Sequence, residues 1–348
     1  MSFKTIGYLF LIVAVFAAVA IFSYYSDINS PANKNGTPIK FTVTAGASVK
    51  MIGADLLKAG LIRSAFHFQV YVSLSKNSGN IQAGTYQLSG RMTIKEIVAL
   101  LAAGKALNEE KEITIIPGWD LNDAAKYLAE QGVASSSAFY AIAGQPLKKY
   151  AAGKLPDYSA QFSVLADKPK TANLEGYLFP DTYRIYDNAT AAEAIAKMIG
   201  NLDAKLTPKM RADIVAEGQT IYRIITLASI IEKEVRKTGE MKTVSGIFWN
   251  RLKIGQPLGS DATLSYVLGD NTAAHTLADT KINSPYNTYL FAGLPPGPIC
   301  NPSLDAITAA IYPAQTDYYY FLTNPADGET VFAKTLDEQN RNKQKYLK

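Results

Sequence analysis

Apolar and polar positions fall into three regimes along the chain. In the first, residues 6–22 (IGYLFLIVAVFAAVAIF) carry no charge, and Ser23, Tyr24 and Tyr25 extend the run before Asp27. About 20 helical residues at ~1.5 Å each cross a bilayer core of ~30 Å, so the pattern predicts a single membrane-spanning helix over residues 6–25. Tyr8 at one end and Tyr24 and Tyr25 at the other suit the two interfaces, where a ring can sit in lipid while its hydroxyl stays wet. A cleaved signal peptide competes with this reading, with Ala18-Val19-Ala20 as its cleavage site, but the apolar run and the tyrosines continue past it. Lys4 is the only charge ahead of the span, which favours a short cytoplasmic tail over residues 1–5 and an exported body. A polar linker over residues 26–39, containing Pro31 and Gly36, is expected next.

The second regime is made of short strand–turn–helix units. Residues 40–44 alternate as a strand, Gly46 turns the chain, and Ser48 caps a helix running to about Ala59. The design returns at residues 112–116, with Gly118 as the turn and Asp120 as the cap of a helix ending near Glu130. Gly46 matches Gly118, Ser48 matches Asp120, Leu56 matches Leu128 and Gly60 matches Gly132, all at one offset, which marks an internal repeat. Gly60 and Gly132 stand where left-handed helix ends are expected, each followed by an apolar residue. Between the copies, residues 84–88 read as a strand, and Thr93 caps an amphipathic helix with Ile94, Ile97, Val98 and Leu101 on one face. Units of this kind resemble LysM modules, which bind N-acetylglucosamine-containing glycans, so a LysM-like α+β domain is expected over 40–133. A plain α+β spacer is the alternative, since no aromatic cluster marks a sugar platform there.

The third regime follows a connecting segment of helix and loop at 134–170, rich in Ser, Ala and Lys. From 171 to 348 helices alternate with aromatic loops, so the whole chain reads as α+β. Residues 221–237 (IYRIITLASIIEKEVRK) form a helical pattern without Pro or Gly. At about 100° per residue, Ile221, Ile224, Ile225, Ala228, Ile231 and Val235 make one apolar arc, and Glu232 falls inside it. Lys233, Glu234 and Lys237 fall on the polar side. A carboxyl facing the interior is costly to ionise, and burial favours its protonated form. That is the state a general acid needs to protonate a leaving oxygen. A buried pair with Arg236, four residues on, explains Glu232 equally well from the helix alone.

Composition narrows the chemistry. The 348 residues are 48% hydrophobic and 19% charged, enough for two or three domains with substantial cores. The 35 Lys and Arg exceed the 30 Asp and Glu by only +5, without a basic block, so no nucleic-acid partner is indicated. Cys300 is the only cysteine, and His67 and His275 are the only histidines, in no recognisable pattern. No metal site, other cofactor or intrachain disulfide is expected, and chemistry falls to carboxylates, amides, hydroxyls or lysines.

The neighbourhood of Glu232 resembles a known family. The stretch Leu227-Ala228-Ser229-Ile230-Ile231-Glu232-Lys233-Glu234 is similar to the signature of the endolytic murein transglycosylases, the YceG-like family. Upstream, residues 174–183 (LEGYLFPDTY) match another of its blocks; downstream follow Asn250-Arg251-Leu252, Ser260-Asp261-Ala262-Thr263, residues 284–289 (SPYNTY), and residues 293–299 (GLPPGPI) with Asn301-Pro302. Gly259 and Ala262 stand where members often have Gln and Pro, which leaves the fine contacts of that loop open. The resemblance implies a catalytic domain over 171–348 and an inner-membrane, single-pass enzyme with its catalytic domain extracytoplasmic. It implies Glu232 as the catalytic residue, cleaving the MurNAc–GlcNAc bond within nascent glycan strands and leaving 1,6-anhydro ends. Strand elongation would thereby be terminated, with peptidoglycan synthases as prospective partners. A muramidase-type hydrolase using Glu232 with a second carboxylate such as Asp261, and a non-catalytic glycan-binding scaffold, are the rival readings.

Glycans offer hydroxyls, acetamides and flat apolar faces, so a cleft needs amides and aromatic platforms. Asn287 between Tyr286 and Tyr289 supplies both, or else makes a turn by bonding its own backbone. Ser229 and Asp261 join these as candidate substrate contacts. Glu175 and Asp181 are extra carboxylates that either orient substrate or Glu232, or cap turns and pair with bases.

Overall fold

The computed structural model describes residues 3–44, 46–77, 79–104, 110–235, 237–270 and 275–347, the side chains of residues 3–9 excepted. Arg236, the expected partner for Glu232, lies outside the described residues. The chain divides into two units, Met1–Glu109 and Glu110–Lys348.

Helix α1 (Phe3–Asn29) opens the first unit and is long and apolar enough to cross a membrane. After it come β1 (Pro38–Val43), α2 (Val49–Lys58), α3 (Ala65–Leu74), β2 (Gly84–Ser89) and α4 (Ile94–Ala102). The strands pair antiparallel with Phe41 opposite Tyr86, and their inward side chains meet Ile52, Leu56, Phe68, Ile97 and Leu101 in one core. Both expected caps form: Ser48 Oγ accepts from Met51 N, and Thr93 makes a reciprocal capping box with Glu96. Helix α3 was not legible as a periodic pattern, because its apolar residues are spread around it rather than striped. The expected linker does not hang free. Asn33 N donates to Gly90 O at 2.8 Å and Ser89 Oγ to Gly36 O at 2.8 Å, tying the segment to the turn after β2.

The second unit is mostly helical. It contains β3 (Glu110–Thr114), α5 (Leu121–Glu130), α6 (Ser136–Ala143), β4 (Thr182–Tyr186), α7 (Ala191–Lys205), α8 (Pro208–Ala216), α9 (Ile221–Glu234), α10 (Thr238–Lys253), α11 (Asp261–Leu268), α12 (Leu304–Ile311), β5 (Tyr320–Thr323), β6 (Thr330–Ala333) and α13 (Leu336–Tyr346). The chain is therefore α+β, with β3–β4 and β5–β6 as two-stranded antiparallel pairs. The matched positions share local backbone geometry in each copy: Gly46, Gly60, Gly118 and Gly132 all have positive φ, and Leu61 N and Val133 N bond back to Leu56 O and Leu128 O. The second copy lies in the second unit, not ahead of the expected boundary at 133. Strand β3 pairs with β4, and Ile113, Leu121 and Leu128 join the second core. Caps and turns are local, whereas the choice of partner strand is long-range, so the repeat carries no information about which core each copy enters.

Helix α9 is the axis of this unit. Every residue from Ile224 to Ile231 is buried, against α8, α10, α11 and α12. A helix apolar on all sides belongs inside a core, and its two polar members are satisfied locally. Thr226 Oγ1 donates to Tyr222 O, and Ser229 Oγ to Thr226 O. The helix ends at Glu234 rather than at 237, because Val235 turns to extended backbone and buries its side chain.

Candidate active site

The last turn of α9 carries two glutamates, and each one grips the start of another helix. Glu232 Oε2 accepts from Ser303 N at 2.9 Å and from Ser303 Oγ at 2.5 Å. Ser303 is the N-cap of α12. Among the described residues Glu232 Oε1 has no hydrogen-bond partner, and the side chain is half-buried. Glu234 bonds the hydroxyl of Ser260, the residue before α11. This corrects the helical-wheel expectation that Glu234 is solvated: it is half-buried, and desolvation raises its pKa despite the Ser260 bond. Ser260 to Ala262, at the start of α11, stand against the side expected to be polar.

Three segments converge on α9. The loop 294–303 runs along α9: Ile299 N donates to Ser229 Oγ at 3.0 Å, and Cys300 Sγ to Ser229 O at 3.3 Å. Asn301 then acts as a joint. Its Oδ1 accepts from Leu178 N at 2.9 Å, its Nδ2 donates to Trp119 O at 2.9 Å, and its carbonyl accepts from Gly118 N at 2.9 Å. The turn 116–120 is thereby brought to the glutamate. A Cβ at Gly118 would lie 4.0 Å from Glu232 Cγ and 3.8 Å from Lys233 Cδ. In the third segment Gly176, at φ +84°, is wedged against Pro298 and Ile225.

Two further carboxyls, Glu175 and Asp120, share with Glu232 the surroundings of Cys300. Glu175 is 1% exposed, and its Oε2 accepts from Leu121 N at 3.3 Å and from Tyr266 Oη at 3.1 Å, while Oε1 is buried without a partner among the described residues. Burial, reinforced by the nearby Asp120 charge, holds its carboxyl well above the usual glutamate range. Asp120 itself caps α5 and is raised by desolvation and then by Asp123, with the exposed Lys233 pulling the other way. Among the described residues no three His, Cys, Asp or Glu side chains group to hold a metal.

The other candidate residues divide. Asn287 is fully buried; its Nδ2 donates to Thr280 O at 3.0 Å and Ile282 O at 2.8 Å, and its Oδ1 accepts from Tyr289 N at 3.0 Å. The amide is consumed by its own loop, as the turn reading requires. Ser229 is likewise buried and bonded within the core. Asp181, although exposed, ties Thr182 N at 2.8 Å and Asn201 Nδ2 at 2.9 Å. Tyr289 Oη donates to Asp261 at 2.8 Å, and the Tyr286 ring packs 5.2 Å from that of Tyr266. His67 faces Asp27 and His275 faces Ser265, as structural contacts.

Sequence reading missed Gly118, Asp120, Asn301 and Ser303. The motif containing Asn301-Pro302 assigns those residues no role, and the local pattern at Gly118–Asp120 signals only a turn and a helix cap. The arrangement that results is a single carboxyl with one oxygen fixed and the other unengaged, able to give a proton to an incoming group and take one back.

Comparison with known proteins gives a consistent picture. The sequence profile of the YceG-like family matches residues 41–345. The chain is 32% identical over 338 residues to a protein of Bacillus subtilis (strain 168) named endolytic murein transglycosylase, covering 94% of this chain and 90% of that one. It is also 32% identical to the protein of that name from Streptococcus pneumoniae serotype 2 (strain D39), of whose length it spans 62%. A crystal structure of a yceG-like protein from Listeria monocytogenes superposes with a TM-score of 0.56 at 30% identity, covering 88% of this chain and all of that one.

Proposed function

The chain belongs to the YceG-like family, and from that membership we propose that it is an endolytic murein transglycosylase with Glu232 as its acid and base. The observation that carries the reading is the carboxyl of Glu232: Oε2 is held by both donors of Ser303, and Oε1 is left without a partner among the described residues. Most glycosidases use two carboxyls, one as acid and one as base or nucleophile. A single carboxyl suffices when the nucleophile belongs to the substrate. Glu232 Oε1–H protonates the oxygen joining MurNAc C1 to GlcNAc, the C1–O bond breaks, and C1 becomes oxocarbenium-like. The carboxylate then removes the proton from the C6 hydroxyl of the same muramoyl residue, and O6 closes onto C1 as a 1,6-anhydro ring. The proton lost in the first step is regained in the second, and no water is consumed.

Lys233 follows Glu232 in the chain and Asp120 lies within electrostatic reach of Lys233, so both are polar groups available to orient a sugar. Cleavage within nascent strands would terminate their elongation, next to the synthases that make them. The apolar α1 fits a single-pass anchor holding the body outside the cytoplasm, and glycan binding by the first unit follows from its resemblance to LysM modules. Mass spectrometry of peptidoglycan incubated with the protein tests the reaction. Fragments lighter by one water than the hydrolysed forms, released from strand interiors, are the expected products; reducing ends instead would establish a hydrolase.

A further inference from the structure

We propose that the first unit sits directly on the outer surface of the bilayer, with Phe66 inserted beside Tyr24 and Tyr25 among the lipid headgroups. The inference rests on α1 being the membrane anchor and concerns what the helix does after it leaves the lipid. Phe22 is 76% exposed, whereas Ile28 is 4% exposed and lies in the first core with Phe68 and Val72. The helix is unbroken between them, so lipid-facing and core-facing residues are separated by about six rises of ~1.5 Å, roughly 9 Å. The polar zone on one side of a bilayer is of the same order, since a ~30 Å core lies within ~40–45 Å overall.

A clamp fixes the unit to that helix. The Asp27 carboxylate lies 2.7 Å from His67 Nδ1 and 3.7 Å from Arg63, and Arg63 also donates to the Pro31 carbonyl. Both partners flank the first turn of α3, so the start of α3 is held at the level where α1 emerges. Phe66 projects there. Its ring centre is 5.9 Å from that of His67, which is 5.7 Å from that of Tyr24, yet Phe66 is 68% exposed. A phenylalanine left in water forgoes roughly 1.5–3 kcal/mol of burial, and an aromatic side chain at the headgroup level regains much of it. Continuity with the span identifies lipid as the cover.

The full chain in phospholipid nanodiscs tests this, with the environment-sensitive fluorophore bimane attached to F66C or, separately, to I12C within the span. Native Cys300 is buried, so it competes little for the label. The expected result is quenching of both labels by lipid carrying a nitroxide, with the Phe66 label protected severalfold from aqueous iodide relative to a free cysteine adduct. Lipid quenching at Ile12 alone, with Phe66 open to iodide, overturns the seating and leaves the anchor standing. Protection at Phe66 from both quenchers means that protein, such as a second copy, covers the face, and also overturns it. No lipid quenching at Ile12 overturns the anchor and the seating together.

Discussion

Glu232 and Glu234 stand two positions apart and hold the starts of different helices, α12 and α11. Residue identity told neither apart; the family motif singled out Glu232, and the structure gives both a helix start to hold, leaving Oε1 of Glu232 unengaged among the described residues. Two further side chains yield predictions at this scale. Glu175 is held well above its ordinary pKa by burial, so the folded state binds its proton more tightly than the unfolded chain. Its stabilising contribution is therefore complete below the unfolded pKa near ~4.3 and drains away as pH rises toward the folded value. Glu175→Gln keeps an acceptor for Tyr266 and cannot ionise. Its Tm relative to the parent should rise between pH ~5 and pH ~8, whereas an equal offset at both pH values would refute the buried neutral acid. Asn287→Ala strips three bonds from a closed loop and leaves part-buried backbone groups without their partner, at no more than about 1–3 kcal/mol each before relaxation. A fall in Tm with normal turnover per folded molecule is expected; unchanged stability with lost turnover would return Asn287 to the substrate. Sequence could not decide this, because residue type does not say whether an amide points at its own backbone or at a ligand.

At the scale of elements, helices and caps were legible and their partners were not. The caps at Ser48, Thr93 and Asp120 depend on residues within one turn, and they form as expected. Residues 235–237 continue the helical pattern of α9 in sequence, but Val235 is buried in extended backbone and ends the helix at Glu234. The approach of the turn at 118–120 to Glu232 was invisible, since it is fixed by Asn301 far along the chain. Loop 174–180 depends on one glycine. A methyl at Gly176 would come within 2.6 Å of Pro298 and 2.8 Å of Ile225, at a φ of +84° that side chains avoid. Strained backbone alone costs about 1–3 kcal/mol, and overpacking adds a similar amount. Chemical denaturation of Gly176→Ala should therefore show a loss of several kcal/mol. A loss below ~1 kcal/mol would mean that the wedge is loose.

For the molecule as a whole, the apolar start, the α+β class and the family were all legible, because length, periodicity and motif order are properties of the chain itself. The division at 109 rather than 133 was not, since it depends on β3 choosing β4. Retention of α1 is expected in cells: sequencing the mature N-terminus should find the span intact, and a start after Ala20 would show that it is cleaved. Turnover of whole strands bears on the central claim. Glu232→Gln keeps the shape and the Ser303 contacts but removes proton exchange, a contribution of typically ~10²–10⁴-fold. Glu217→Gln, at an exposed position after α8, is the control; Glu234→Gln is not, because that side chain holds Ser260. The decisive measurement is mass spectrometry of peptidoglycan digested by the folded Glu232→Gln and Glu217→Gln variants side by side. The account predicts anhydro-ended fragments at the parental level from Glu217→Gln and almost none from Glu232→Gln, with strand binding retained. Release of those fragments by Glu232→Gln at close to the parental rate would contradict it.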